Sequence, residues 1–186
     1  MIIRWLLIAS LCACFAAGVN AATVVVNFDD LGSGDGLVPD GYGGINWGGQ
    51  WNYLGETQFP YTPRSSPNRV YDYLGEGQFS LLTPAVFDGA WFAGQSNATV
   101  QFNLYLSGVL VGSSSVLAPT DVPTFLGSGY AGLVDKVGVV SPAPDHFVMD
   151  DVTYGSGTST PEPATLSLVG GAVGLLAFVV RRRRRA

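Results

Sequence analysis

Between residues 22 and 160 no apolar stripe is sustained at helical spacing. A helix that packs on a globular core needs apolar residues near i, i+3, i+4 and i+7. Here they come in short runs rich in Val, Phe, Tyr and Trp, and glycine or proline closes nearly every run. Val100, Phe102, Leu104 and Leu106 show the pattern most plainly. Every second residue is apolar, so all four share one face of a strand. Strands are expected over 23–28, 45–47, 50–54, 69–74, 78–82, 85–93, 99–106, 109–117, 122–126, 131–140 and 147–154. Ser107-Gly108 reads as the turn of a hairpin. Gly32 to Gly44 reads as loop, and so does Thr57 to Asn68, which holds Pro60, Pro63 and Pro67. Short strands at regular spacing between turn residues predict an all-β domain over 22–154, a β-sandwich of jelly-roll type.

Two apolar segments flank that domain. Met1 to Ala21 carries Arg4, an apolar stretch from Trp5 to Ala17, and small residues at Val19 and Ala21. That is the form of a signal peptide cut after Ala21. Cys12 and Cys14, the only cysteines, both lie inside it. The exported domain therefore has no disulfide, thiolate metal site or cysteine nucleophile. At the other end, the small polar linker 155–160 leads to Pro161, Glu162 and Pro163, an extended elbow that continues neither helix nor strand. Residues 164–180 are uncharged and span roughly 25 Å as a helix, the short end of what a bilayer accepts. Arg181, Arg182, Arg183, Arg184 and Arg185 follow. Each costs roughly 2.5–3.5 kcal/mol at the bilayer centre, so together they stop transfer and hold the C-terminus in the cytoplasm.

The order Pro-Glu-Pro, short glycine-containing apolar helix, arginine cluster resembles the PEP-CTERM sorting signal of Gram-negative bacteria over 161–186. The resemblance implies a precursor anchored in the inner membrane through 164–180. Signal peptidase and an exosortase would process it and pass it to the cell surface or extracellular matrix. It says nothing of what the domain itself does.

Charge narrows the partners. The −5 of the whole chain conceals a strongly acidic domain: over 22–160 thirteen carboxylates face only Arg64, Arg69 and Lys136. Such a surface repels phosphate backbones, which argues against nucleic acid. His146 is the only histidine, so neither a histidine metal cluster nor a Ser-His relay with a choice of base is available.

Two groups of residues invite a ligand. Asp29-Asp30 ends the first strand and Asp150-Asp151 lies in the last. Strand alternation turns one of the latter pair toward apolar company, where an unpartnered carboxylate is costly and a cation would satisfy it. Structural calcium is the expected ion, with Asp30 and Asp150 as ligands and Asp29 and Asp151 as alternates. The competing reading is strand-end carboxylates that accept backbone N–H bonds. The closing strand, Phe147 to Tyr154, also resembles the end of carbohydrate-binding jelly-roll modules, where an aromatic-x-x-Asp-Asp-Val strand returns beside the first strand and helps to hold calcium. Trp47, Trp51, Tyr53, Tyr71 and Tyr73 form the second group. They are candidates for a platform that stacks on sugar rings, and equally for core. Trp51 to Phe59 is echoed by Tyr71 to Phe79 at a spacing of twenty residues, too few copies for a solenoid.

The functional expectation is an exported, non-catalytic surface protein associated with exopolysaccharide or biofilm matrix. The alternatives are a carbohydrate-binding module with structural calcium, and a secreted glycoside hydrolase, which needs two carboxylates facing one cleft.

Overall fold

A computed structural model describes residues 22–72 and 77–155, which fall in one compact unit. The signal peptide, the linker and the sorting segment lie outside the described residues. Among the described residues no helix is long and apolar enough to cross a membrane.

The domain is a β-sandwich. Its strands are β1 (Thr23–Val26), β2 (Asp35–Leu37), β3 (Ile45–Asn46), β4 (Trp51–Leu54), β5 (Arg69–Asp72), β6 (Gln78–Gly94), β7 (Gln101–Leu106), β8 (Val109–Ser113), β9 (Thr124–Gly127), β10 (Leu133–Val140) and β11 (Phe147–Gly155). Hydrogen bonding runs in the order β2-β4-β5-β11-β6-β10-β7-β8, with β1 added to β11 and both β3 and β9 added to β6. The expected runs 78–82 and 85–93 are one strand, β6. Leu82, Thr83 and Pro84 between them face solvent, and the pairing with β10 shifts register there. β6 pairs at different points with β3, β9, β10 and β11 and is the most widely connected strand of the domain. The stretch read as loop from Gly32 to Gly44 contains the short strand β2, which pairs with β4.

Other elements follow from the pattern. In β7, Val100 just before it, Phe102 and Leu104 are buried, while Gln101, Asn103 and Tyr105 are half-buried. Ser107 and Gly108 both have positive φ, the two-residue turn whose twist suits a hairpin, and β7 pairs with β8 across them. β1 lies antiparallel to β11, with Val26 opposite Val152. The first and last strands of the domain are therefore neighbours.

Aromatic rings carry the core. Phe28 meets Trp47 edge-on at 5.3 Å, Trp47 meets Phe79 at 5.2 Å, Phe79 meets Phe87 at 5.9 Å, and Phe87 meets Phe102 at 4.9 Å. Phe92 then joins Phe102 to Phe147. Such pairs add about 0.5–1.5 kcal/mol each beyond the area they bury. The rings form a continuous spine through a domain that has no disulfides. Phe87→Ala, in the middle of it, should cost about 3–5 kcal/mol in urea unfolding. Leu110→Ala, on an exposed position of β8, should stay within about 0.5 kcal/mol.

Candidate functional site

β5, β11, β6 and β9 lie side by side, and rows of opposed residues cross them. Val70 pairs with Met149, Met149 with Phe92, Asp150 with Trp91, and Trp91 with Phe125. One step from the Val70–Met149 pair, Arg69 stands next to Asp150. Opposed residues project from the same side of a sheet. Val70, Met149 and Phe92 enter the core and are buried there. Arg69, Asp150, Trp91 and Phe125 form a row on the opposite face.

Charged residues on that face would ordinarily be wet, yet Arg69 is 1% exposed and Asp150 2%. The cover is the proline-rich segment between β4 and β5. Asp150 Oδ2 accepts N–H bonds from Arg64 (2.7 Å) and Ser65 (2.9 Å), and Oδ1 accepts one from the Asp151 amide (2.8 Å). A bulge follows at once. Asp151 has φ +46° and the pairing with β6 shifts between Asp150 and Thr153. Asp151 Oδ1 takes the Ser65 hydroxyl at 3.1 Å, and Asp29 Oδ1 takes the Asn68 amide at 3.1 Å. Three aspartates thus fasten residues 64–68 over the sheet. Burial pushes the Asp150 carboxyl up to about 7, against the opposing pull of its amide donors.

Arg69 is less well served. Its Nη1 donates to the Leu54 carbonyl at 3.1 Å. Nε and Nη2 are buried and have no hydrogen-bond partner among the described residues. Burial pushes its pKa down, and Asp150 counters part of that. Leaving buried donors unmet costs about 1–3 kcal/mol, more for a charged group. Arg69 also forms part of the wall of a cavity of about 400 Å³ lined largely by the same segment. Thr57, Gln58, Phe59, Tyr61, Thr62 and Ser66 supply much of the remaining wall. The Tyr61 hydroxyl donates to the Asp145 carbonyl and accepts from Gln95 Nε2. Phe59 is 80% exposed at the cavity. Along the row, the Arg64 guanidinium lies 4.5 Å over the Trp91 ring, and Trp91 packs on Phe125, itself 40% exposed. Both arginines of the domain are gathered on this face.

The expected ligand residues fall out differently. Trp47 and Trp51 are fully buried, and their indole N–H groups donate to the carbonyls of Tyr42 and Gln78. They belong to the aromatic spine and have no ring face for a sugar. Alternation explains it: Trp51, Tyr53 and Val70 project inward together, and Tyr53 packs against the core. Tyr71 projects outward, and its hydroxyl donates to Asp35 at 2.9 Å. Tyr73 lies outside the described residues, as do Ala21, Pro161, Glu162, Pro163 and the arginines 181–185.

The aspartates do meet around the β1–β11 pairing, but their oxygens face donors. Asp150 meets three amides, Asp29 an amide, Asp151 a hydroxyl, and Asp30 the Tyr42 phenol. Burial and the Asp30 carboxylate together hold the Tyr42 phenol well above its usual range. Calcium requires converging oxygen lone pairs. Here the need of the buried carboxylate is met by N–H groups. Among the described residues no group of three or more metal-ligating side chains occurs.

Residues 159–185 match the family model of the PEP-CTERM protein-sorting motif. The chain carries a PEP-CTERM sorting motif. That motif marks an exported chain, sorted from a membrane-anchored precursor and processed by an exosortase. No curated protein matches the sequence. Similar solved structures include a family 29 carbohydrate-binding module, 12% identical over 77% of this chain and 97% of that one, with a TM-score of 0.45. A point mutant of the CBM29-2 module complexed with cellulohexaose is 13% identical over 75% of this chain and 94% of that one, also at 0.45.

Two outcomes test the clamp. The folded-state pKa of Asp150 lies above its unfolded value, so the folded protein holds a proton that the unfolded chain releases. Stability from this group is then fullest below about pH 4 and lost as pH rises to about 7. Asp150→Asn should flatten that fall, by up to about 4 kcal/mol, in urea unfolding between pH 4 and 8. Calcium and chelator should give the same thermal midpoint. A calcium-dependent rise of several degrees would return a metal to the aspartates.

Proposed function

We propose that this exported chain acts at the cell surface as a non-catalytic module that holds extracellular polysaccharide in the cavity lined by the β4–β5 segment. The observation that carries this reading is Phe59. A large apolar ring 80% exposed at the rim of a cavity of about 400 Å³ is a poor use of a core residue and a good use of a stacking one. The C–H face of a pyranose suits such a ring. The hydroxyls of Thr57, Thr62 and Ser66 and the carboxamide of Gln58 suit the sugar's own hydroxyls. The volume lies in the range of ordinary ligand sites.

The cavity's lining favours binding over hydrolysis. Among the described residues no carboxylate lines it. Asp150, the carboxyl with a raised pKa, is enclosed by the amides it accepts. A glycoside hydrolase would need two carboxylates open to one substrate. An exported chain with a sorting motif fits a role beside extracellular polysaccharide.

Phe59→Ala should weaken retention on the polysaccharide that the wild-type chain binds by roughly 3–10-fold, with the thermal midpoint unchanged. Affinity electrophoresis against neutral glucans and acidic polyuronates measures it. Retention by none of them, or retention that ignores Phe59→Ala, rejects the reading.

A further inference from the structure

The fork on Arg69 points to a class of sugar. We propose that Arg69 receives the carboxylate of an acidic polysaccharide, so that the module selects uronic-acid residues. This rests on the polysaccharide reading and goes beyond it by naming what is recognised.

The unpartnered nitrogens are Nε and Nη2. Their N–H bonds point the same way along one edge of the planar guanidinium. That edge binds both oxygens of a carboxylate at once. The third nitrogen is spent on the Leu54 carbonyl, which fixes the plane of the group. Asp150 stands beside Arg69 and influences it, but its oxygens are committed to the amides of Arg64, Ser65 and Asp151. The fold thus keeps a guanidinium in its interior, anchors one end, and leaves the carboxylate-binding edge unused on a residue that lines a cavity. Phe59 offers a ring face to a sugar at the same cavity.

Charge supports the choice of ligand. Over residues 22–160 the surface is acidic, with three basic residues in all, and Arg64 and Arg69 both belong to this face. Apart from Lys136, the basic side chains of the domain are on this face, so an acidic glycan finds its cationic partners here. Arg69 is 1% exposed, so a carboxylate reaches it only as the covering segment yields. Residues 64 and 65 are clamped by Asp150. From Thr57 to Pro63 the segment is held by the Tyr61 hydroxyl and two turn bonds, so ligand entry lies on the Phe59 side.

The full chain in detergent should be titrated with hexamers of galacturonic, mannuronic and glucuronic acid, with their methyl esters, and with neutral glucose and mannose hexamers. The ester keeps the sugar and removes the charge. At least one acid hexamer should bind tenfold or more tightly than its ester. Arg69→Lys, which keeps the charge and loses the fork, should erase that preference. Phe59→Ala should weaken acid and ester alike. Equal binding of acid and ester overturns the uronate proposal and leaves the polysaccharide reading in place. Binding of no hexamer of either kind overturns both. A preference for the acid that survives in Arg69→Lys also overturns the proposal, because the carboxylate is then held elsewhere. If Arg69→Lys does not fold, the comparison of acid with ester on the wild-type chain still decides.

Discussion

The architecture depends on a carboxylate that faces away from the core and is nonetheless dry. Asp150 sits on β11, the strand that joins β1, β5 and β6, and it binds the amides of a segment nearly ninety residues earlier. An isolated buried carboxylate is among the costliest groups a protein can hold. Three N–H donors make it tolerable, and in return a proline-rich segment without strand pairing of its own acquires one fixed position. The bulge at Asp151 is the local adjustment that lets two successive aspartates both reach Ser65. The second layer of order on this face is thus polar, whereas that inside the sandwich is aromatic.

Much of the fold is legible in the sequence, because alternation and turn chemistry are local signals. Val100, Phe102 and Leu104 declare their face, and Ser107-Gly108 declares its turn. The pairing of the first with the last strand is legible through the resemblance of the closing strand. Less visible is whatever depends on distant chain. Nothing local distinguishes an inward Trp51 from an outward one, since both faces of β4 carry apolar residues and the decision is made by its neighbours. The union of 78–82 with 85–93 is hidden by Pro84, which reads as a break and occurs at an exposed bend within one long strand.

The site is the least legible part. The aspartates stand out as a group that comes together and needs satisfying. Their partners are backbone amides, which nearly every residue has and which no pattern of side chains announces. Arg69 gives little sign of itself, because a lone arginine at the start of a strand normally faces water. A faint signal is present. In a stretch with only three basic residues, one of them begins Arg-Val-Tyr, a run otherwise suited to burial. Phe59 is hidden for the opposite reason, since an aromatic residue among prolines reads as ordinary loop.

The pairing of β1 with β11 also bears on how the protein is made. The strand that completes the β1, β5 and β6 pairings is the last of the domain, so the most distant contacts in the chain are the ones that close it. Non-local pairing of this kind must wait for both partners. During export the early strands therefore emerge without the neighbour they need. The sandwich closes once residue 155 has crossed. Without cysteines in the domain, that closure needs no oxidant and proceeds in whatever redox environment the chain meets.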